Sequence, residues 1–437
     1  MTDEKLSTPL NQDRSFWGMT LTQFFGAFND NLFKMLLLLL CVDYANKVNG
    51  NVGEYQFYAQ IMFALPFVLF SGFAGFLSDR YSKRRIVVLC KVGEILVMLA
   101  GLAAFFSPEI VPLYVVMFLM STQSAFFGPS KYGILPEMLD SAKLPAANGI
   151  IQLTTFLAII FGGALAGHMK EWFAPNVWPI SAACVVVALV GTGTSMLIRP
   201  TPTARPGLPF KAEMLAINRE MIRLLWADSK LLIALLMSSL FWFLGGVVQQ
   251  IVTAYGKEQL AIGDAATSNL FVATALGIGV GCGLSGFFSK NRVRFGLVRI
   301  GAWGIIVSFV LLAAIGANVE SIGSMNTVVI LSSIALLLQG VFSGLFIVPI
   351  QVFLQARPPA EKKGQMIGTM NLTNWIGILL SAGFYIACYA TIAELFPQRA
   401  PVTISWSFLA TAIIMLPVAL LYRPDDEQLE NTTSDDC

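Results

Sequence analysis

An all-α polytopic membrane protein, with twelve transmembrane helices in two pseudo-repeated bundles of six, is the fold class the sequence predicts. Three observations lead there. The 437 residues are 56% hydrophobic and 12% charged, with mean hydropathy +0.70, whereas soluble domains carry about 25% charged residues. Twelve apolar runs recur, each near the ~20 residues a helix needs to cross the hydrocarbon core. Landmarks of the first half return in the second at a nearly constant offset.

The runs lie near residues 16–41, 55–77, 86–106, 110–132, 146–168, 176–198, 231–252, 266–289, 297–317, 326–349, 366–391 and 402–422. Length identifies them, because periodicity alone does not separate a buried helix from a lipid-facing one. The polar start Thr2-Asp3-Glu4-Lys5 and the long first run predict no cleavable signal peptide. After the sixth run comes Pro200, Pro202, Pro206 and Pro209, then a polar stretch from Lys211 to Lys230. This reads as a linker. The predicted organisation is therefore a half at 1–198, a cytoplasmic linker at 199–230, a second half at 231–423 and an acidic, disordered tail at 424–437.

Lysine and arginine set the orientation. With the N-terminus inside, 22 of the 28 basic residues fall on the cytoplasmic side, including Arg80, Lys83, Arg84, Arg85, Lys131 and Arg357. Only Lys47, Lys170, Lys257 and Arg399 fall opposite, and Lys34 and Lys91 lie within spans. An even number of crossings is required for this bias, which places both termini inside. Gly75-Phe-Leu-Ser78 after the second span returns as Gly286-Phe-Phe-Ser289 after the eighth, 211 residues later. Pro129 at the fourth span returns as Pro349 at the tenth, 220 residues later. Parallel halves of six helices predict alternating-access transport around a site between them.

The first span carries Gln23, Asn29, Asp30, Asn31 and Lys34. Asp30 and Lys34 are i and i+4 and share a face, with Gln23 seven residues before Asp30 on the same stripe. An ionisable group at membrane depth costs a few kcal/mol or more, so it faces a partner or a water-filled cavity. Two readings follow: an internal ion pair that holds helices together, or a stripe lining a transport route. The second is the expectation.

Gly75-Phe-Leu-Ser-Asp79-Arg80-Tyr-Ser82-Lys83-Arg84-Arg85 resembles the signature loop of the major facilitator superfamily. That resemblance implies a conformational latch built from Gly75, Asp79, Arg80, Lys83 and Arg84, made in one state and broken in the other. Ser82 stands where the family usually has glycine, and Lys83 where it has arginine. The second-half copy has Lys290 and Asn291 in place of Asp79 and Arg80.

Within that superfamily, a narrower set of motifs resembles the bacterial lysophospholipid transporters. They are Phe28-Asn29-Asp30-Asn31, Gly128-Pro-Ser-Lys131-Tyr-Gly-Ile-Leu-Pro-Glu137, Lys143-Leu-Pro-Ala-Ala-Asn148-Gly149, Ser239-Leu-Phe-Trp242, Val348-Pro349 and Asn371-Leu-Thr-Asn374. The resemblance implies lysophospholipids, chiefly lysophosphatidylethanolamine, as substrate, with no ATP or coupling ion. The residue chemistry fits such a substrate: Lys131 for the phosphate as a point charge, Asp30 for the ethanolamine ammonium or a cation between substrates, and Asn31, Gln152, Asn371 and Asn374 as uncharged hydrogen-bonding groups. The 33 phenylalanines supply apolar wall for an acyl chain. Gln249 and Gln250 stand where these transporters carry an arginine, so Lys34 is a substitute for that charge. The chain ends after its twelfth span, which implies a separate acyltransferase as partner. Superfamily members of this size imply a monomer.

Plainer readings stand beside these. Lys131 is an interfacial lysine reaching lipid phosphate, and Asn371 and Asn374 are interhelical hydrogen bonders. Gly163 with Gly167, and Gly279 with Gly283, are small-residue pairs that allow close helix approach. The six cysteines show no metal or redox spacing, and His168 is the single histidine. No nucleophile–histidine pair, nucleotide loop or metal cluster appears, so neither an enzyme, a cofactor nor a nucleic-acid partner is expected. The alternative function is a proton-coupled exporter of small amphiphiles with Asp30 as proton site. A non-transporting receptor or scaffold is disfavoured by the polar stripe and the repeated halves.

Overall fold

Apolar runs in this chain satisfy their backbone groups internally, the only arrangement that lipid tolerates for a single segment, and all the long ones are α-helices. The computed structural model describes residues 9–139, 143–202, 219–289, 292–359, 362–395, 403–422 and 427–428. Among the described residues, eleven helices are long and apolar enough to span a membrane. The twelfth apolar run forms a shorter helix, Trp406–Leu421, about 24 Å long at 1.5 Å per residue.

Packing divides the chain into two compact units. One comprises residues 1–217 and 261–269, the other 218–260 and 270–437. In the first unit, α1 (Arg14–Lys47), α2 (Val52–Arg80), α3 (Lys83–Ala104), α4 (Val111–Gly133), the short α5 (Leu135–Met138), α6 (Leu144–Phe173) and α7 (Trp178–Ser195) follow one another. The 34 residues of α1 make it about 51 Å long, well beyond the ~30 Å hydrocarbon core. Asp13 caps it, accepting from the Ser15 and Phe16 amides at 2.9 and 3.1 Å, which satisfies two donors a helix start leaves open. The same carboxylate pairs with Arg199 at 2.7 Å.

The second unit contains α8 (Arg219–Ala227), α9 (Ser229–Ala254) with a π-turn at Tyr255–Gln259, α10 (Asp264–Ser289), α11 (Gly296–Ala317), the short α12 (Val319–Ile322), α13 (Met325–Ala356), α14 (Lys363–Leu395) and α15 (Trp406–Leu421). The expected linker is described only at its ends, since residues 203–218 lie outside the described residues. Two tail residues expected to be disordered, Glu427 and Gln428, pair antiparallel with Val293 and Arg292. Residues 261–269, at the start of α10, pack with the first unit. There Lys170 on α6 holds both Asp43 and Asp264, and Glu171 accepts from the Ala265 amide at 2.8 Å.

The two units repeat the same internal pairings. In the first, α1 packs on α6, α2 on α4, α3 on α4 and α7. In the second, α9 packs on α14, and α11 on α13 and α15. Large apolar side chains remain exposed on the outer faces, among them Leu89, Leu96, Phe287 and Leu421. That inverts the soluble pattern and suits a lipid solvent.

Helix approach in the second unit depends on glycines other than those expected. Gly277 and Gly281 of α10 face Gly340 and Gly344 of α13: a Cβ at Gly277 would lie 3.0 Å from the Gly340 Cα, and one at Gly344 would lie 2.5 Å from the Cys282 nitrogen. Gly279 and Gly283 point away, with nothing within 4 Å of an added Cβ. The close-packed face is therefore one step around the helix from the predicted pair. Gly281→Ala is expected to cost about 1–3 kcal/mol by overpacking, while Gly279→Ala is neutral or stabilises by up to about 1 kcal/mol. Thermal unfolding of the two variants in detergent separates them.

At the start of α9, Asp228 accepts from the Lys230 and Leu231 amides at 3.1 and 3.3 Å and from Arg357 at 2.7 Å. Partial burial alone would push its carboxyl up, but the Arg357 hydrogen bond and the two amides outweigh this and hold it below the usual carboxylate range. A folded value below the unfolded one adds stability that is present above the unfolded pKa, about 3.9, and is lost as pH falls through the folded value. Asp228→Ala is expected to lower stability by about 1 kcal/mol at pH 7 through loss of the cap. Melting curves of the two proteins should stay a constant distance apart from pH 5 to 8, begin to approach as pH falls through ~3.9 and come together only below the folded value.

Candidate functional site

The predicted polar residues of α1 do not pair with one another; Gln23, Asn29, Asp30 and Lys34 each reach a neighbouring helix of the first unit. Asp30 accepts from the Ser124 hydroxyl of α4 at 2.7 Å through Oδ2. Gln123 in turn donates to Ser124 at 2.9 Å. The other carboxylate oxygen, Oδ1, is buried and has no hydrogen-bond partner. Lys34 is buried and lies 3.9 Å from the centroid of the Phe63 ring on α2, a cation–π contact strengthened by the loss of water. No Asp30–Lys34 ion pair forms among the described residues. Asn31 turns back on its own helix, donating to the Ala27 carbonyl at 2.7 Å.

Lys131 joins the stripe through α6. Its ammonium donates to the Thr155 hydroxyl at 3.0 Å, and Thr155 donates to the Gln23 carbonyl oxygen at 2.8 Å. Gln23 completes the chain by donating to Thr154 at 2.6 Å. Gln23 and Lys131, 108 positions apart in sequence, thus share one hydroxyl. Gln152 lies on α6, and its side chain is outside the described residues.

Beside this stripe sits an ion pair that the sequence reading did not single out. Lys91 and Glu94, i and i+3 on α3, pair with each other at 1% and 0% side-chain exposure. Glu94 Oε1 also accepts from Asn29 at 2.9 Å, and the same Asn29 amide reaches the Cys184 carbonyl on α7 at 3.0 Å. Two glycines make room. A Cβ at Gly26 would lie 3.1 Å from the Lys91 ammonium, and one at Gly191 would lie 2.9 Å from the Lys91 Cε. The signal was available: two opposite charges one turn apart inside an apolar run.

The signature loop places its residues unequally. Lys83 is buried and pairs with Glu137 of α5. Its stem runs beside Gly133, where a Cβ would lie 2.7 Å from the Lys83 Cε. Arg84 anchors its amide on the Thr201 hydroxyl at 3.2 Å, and Ser82 meets the same hydroxyl at 3.1 Å. Arg80 lies over Phe76 and Tyr81 at 5.8 and 5.6 Å. Asp79 is exposed, and Gly75 faces open space.

The remaining predicted residues belong to the second unit. Asn374 is buried and accepts from Ser238 of α9 at 3.0 Å. Next to it, Ser239 donates to the Thr373 carbonyl at 2.7 Å. Asn371 is exposed. Gln249 is buried; Gln250 donates to the Gly246 carbonyl at 3.2 Å and leaves its own carbonyl oxygen buried without a partner.

A buried pair that loses one partner strands the other charge, at a cost of about 3–5 kcal/mol, whereas replacing both by apolar groups is often neutral. Lys91→Met and Glu94→Leu are each expected to destabilise the protein by that amount. The double variant should recover most of the loss, giving a large coupling in a double-mutant cycle read by thermal unfolding in detergent.

Comparison with known proteins agrees with this architecture. The family described as Major Facilitator Superfamily matches residues 19–382. A lysophospholipid transporter of Pectobacterium carotovorum subsp. carotovorum (strain PC1) is 29% identical over 389 residues, 87% of each chain. One from Yersinia pestis (strain Pestoides F) is 26% identical over 383 residues, 85% of this chain and 86% of its own. Among solved structures, the peptide transporter POT in complex with sulfate has a TM-score of 0.69 at 16% identity, covering 94% of this chain and 96% of its own. A nucleoside transporter has a TM-score of 0.67 at 13% identity, covering 92% and 98%.

Proposed function

The chain belongs to the major facilitator superfamily, and on that premise we propose that it carries lysophospholipids across a bacterial inner membrane by alternating access. It is a transporter rather than an enzyme. The observation that carries the substrate reading is the Asp30 carboxylate, with one oxygen held by Ser124 and the other buried and unpartnered. A buried charged acceptor left unmade is costly, and an ammonium head group supplies the missing donors. Lys131, held toward the stripe by Thr155, meets the phosphate as a point charge. Lysophosphatidylethanolamine offers both groups, and the relatives named above are lysophospholipid transporters.

Several further assignments rest on this reading. Gln249 stands in place of a family arginine, so the phosphate relies on Lys131 and Lys34 of the first unit. Lys83, through its pair with Glu137, is the latch residue that alternates between states. Both termini are cytoplasmic, the chain works as a monomer, and a separate acyltransferase consumes the product.

Transbilayer movement of labelled lysophosphatidylethanolamine in proteoliposomes tests the proposal, using wild type, Asp30→Asn and Lys131→Ala with and without a proton gradient. Transport is expected to be gradient-independent. Each variant should lower it by about tenfold or more, since hydrogen bonds to charged groups contribute about 1.5–3 kcal/mol. A folded wild type that moves no lipid overturns the substrate. Transport that requires the gradient and is abolished in Asp30→Asn identifies the proton-coupled exporter instead.

A further inference from the structure

A groove of about 570 Å³ runs along one face of α11 in the second unit, lined by Arg299, Ile300, Trp303, Gly304 and Val307, with Phe342 of α13 as its far wall. Its volume is within the range of small-molecule sites, about 300–1,000 Å³. The lining residues follow helical spacing, so they form a single strip. The groove exists because α11 and α13 touch at glycines. A Cβ at Gly301 would lie 2.6 Å from the Phe342 carbonyl oxygen, and one at Gly304 would overlap the Phe342 ring. The missing side chain at Gly304 lets that ring form the floor.

The strip is apolar, and much of it is uncovered. Ile300 and Val307 are each 53% exposed, and Trp303 is 38% exposed. Its single charge is Arg299, an exposed guanidinium at the loop end of α11 with no ion pair or hydrogen bond to any described residue. No carboxylate lines the groove.

We propose that this groove binds a phospholipid of net negative charge from the surrounding bilayer, its phosphate on Arg299 and an acyl chain along Trp303, Gly304 and Val307. Charge complementarity selects the occupant. A guanidinium matches a phosphate with paired donors, and a basic pocket at a membrane surface recruits anionic head groups. A zwitterionic head group would find no acceptor for its ammonium. Free phosphate would leave the apolar strip unused, and an apolar protein helix would bury Arg299 unpaired. Tryptophan at the level of the head groups is the usual membrane-interface anchor. The site lies outside the transport stripe of α1 and does not depend on the substrate proposed above.

Fluorescence quenching of the full-length protein in liposomes tests this directly. Brominated phosphatidylglycerol or brominated phosphatidylcholine is added at low mole fraction to wild type and Trp303→Phe, and the difference isolates Trp303. Phosphatidylglycerol is expected to quench Trp303 about fivefold more effectively, the preference one basic residue confers near a membrane surface. Arg299→Gln should bring that ratio to about one. Arg294→Gln, an exposed neighbour outside the strip, should leave it unchanged. Gly296→Leu, at a groove position where an added Cβ meets no atom within 4 Å, should weaken quenching by both lipids. A ratio near one in wild type, or a preference that survives Arg299→Gln, overturns the proposal.

Discussion

Charge inside an apolar medium is the constraint on which the first unit depends. The Lys91–Glu94 pair meets it most fully: both side chains are withdrawn from solvent, and Glu94 takes a second hydrogen bond from Asn29. Through Asn29 and the Cys184 carbonyl, the pair ties α3 to α1 and α7. Asp30 is the next residue on α1, so the anchor of Asn29 also fixes where the Asp30 carboxylate is presented. The ion pair is satisfied on both sides, whereas the carboxylate beside it keeps one buried oxygen without a partner.

Three other lysines of that unit find different solutions to the same problem. Lys34 uses an aromatic face, Lys131 a hydroxyl shared with Gln23, and Lys83 a carboxylate on a short helix beyond the span. These are graded. A salt bridge between fully buried partners is hard to open, whereas a lysine resting on a threonine exchanges its partner at little cost. A transporter needs both kinds, one to keep the bundle intact and the other to release and rebind.

Much of the architecture was legible from residue types alone. Apolar run length is a strong signal when every backbone group must be satisfied within the segment, and the charge bias and repeat offsets checked the number of runs. Asp30 and Lys131 stood out because a charge in such a run is expensive. Their partners did not. Spacing of i and i+4 suggested that Asp30 meets Lys34, yet each side chain leaves the helix for another one, Ser124 or Phe63. Glycine spacing was ambiguous for a related reason. The eighth run contains two overlapping pairs, Gly277 with Gly281 and Gly279 with Gly283, and only the packing of α13 decides which faces inward. Tertiary contacts chose among alternatives that local sequence left equal.

The cavity that admits Lys91 has a consequence for sequence variation. Its stem and ammonium fill volume vacated by the absent side chains of Gly26 and Gly191. Positions 26, 91 and 191 therefore form one steric unit contributed by three helices. Substitution at either glycine forces the Lys91 side chain to shift, and a short residue at position 91 leaves both an empty space and a Glu94 without its ion-pair partner. A change of volume or charge at one of these sites is therefore felt at the other two, so the three act as one packing unit rather than three independent positions.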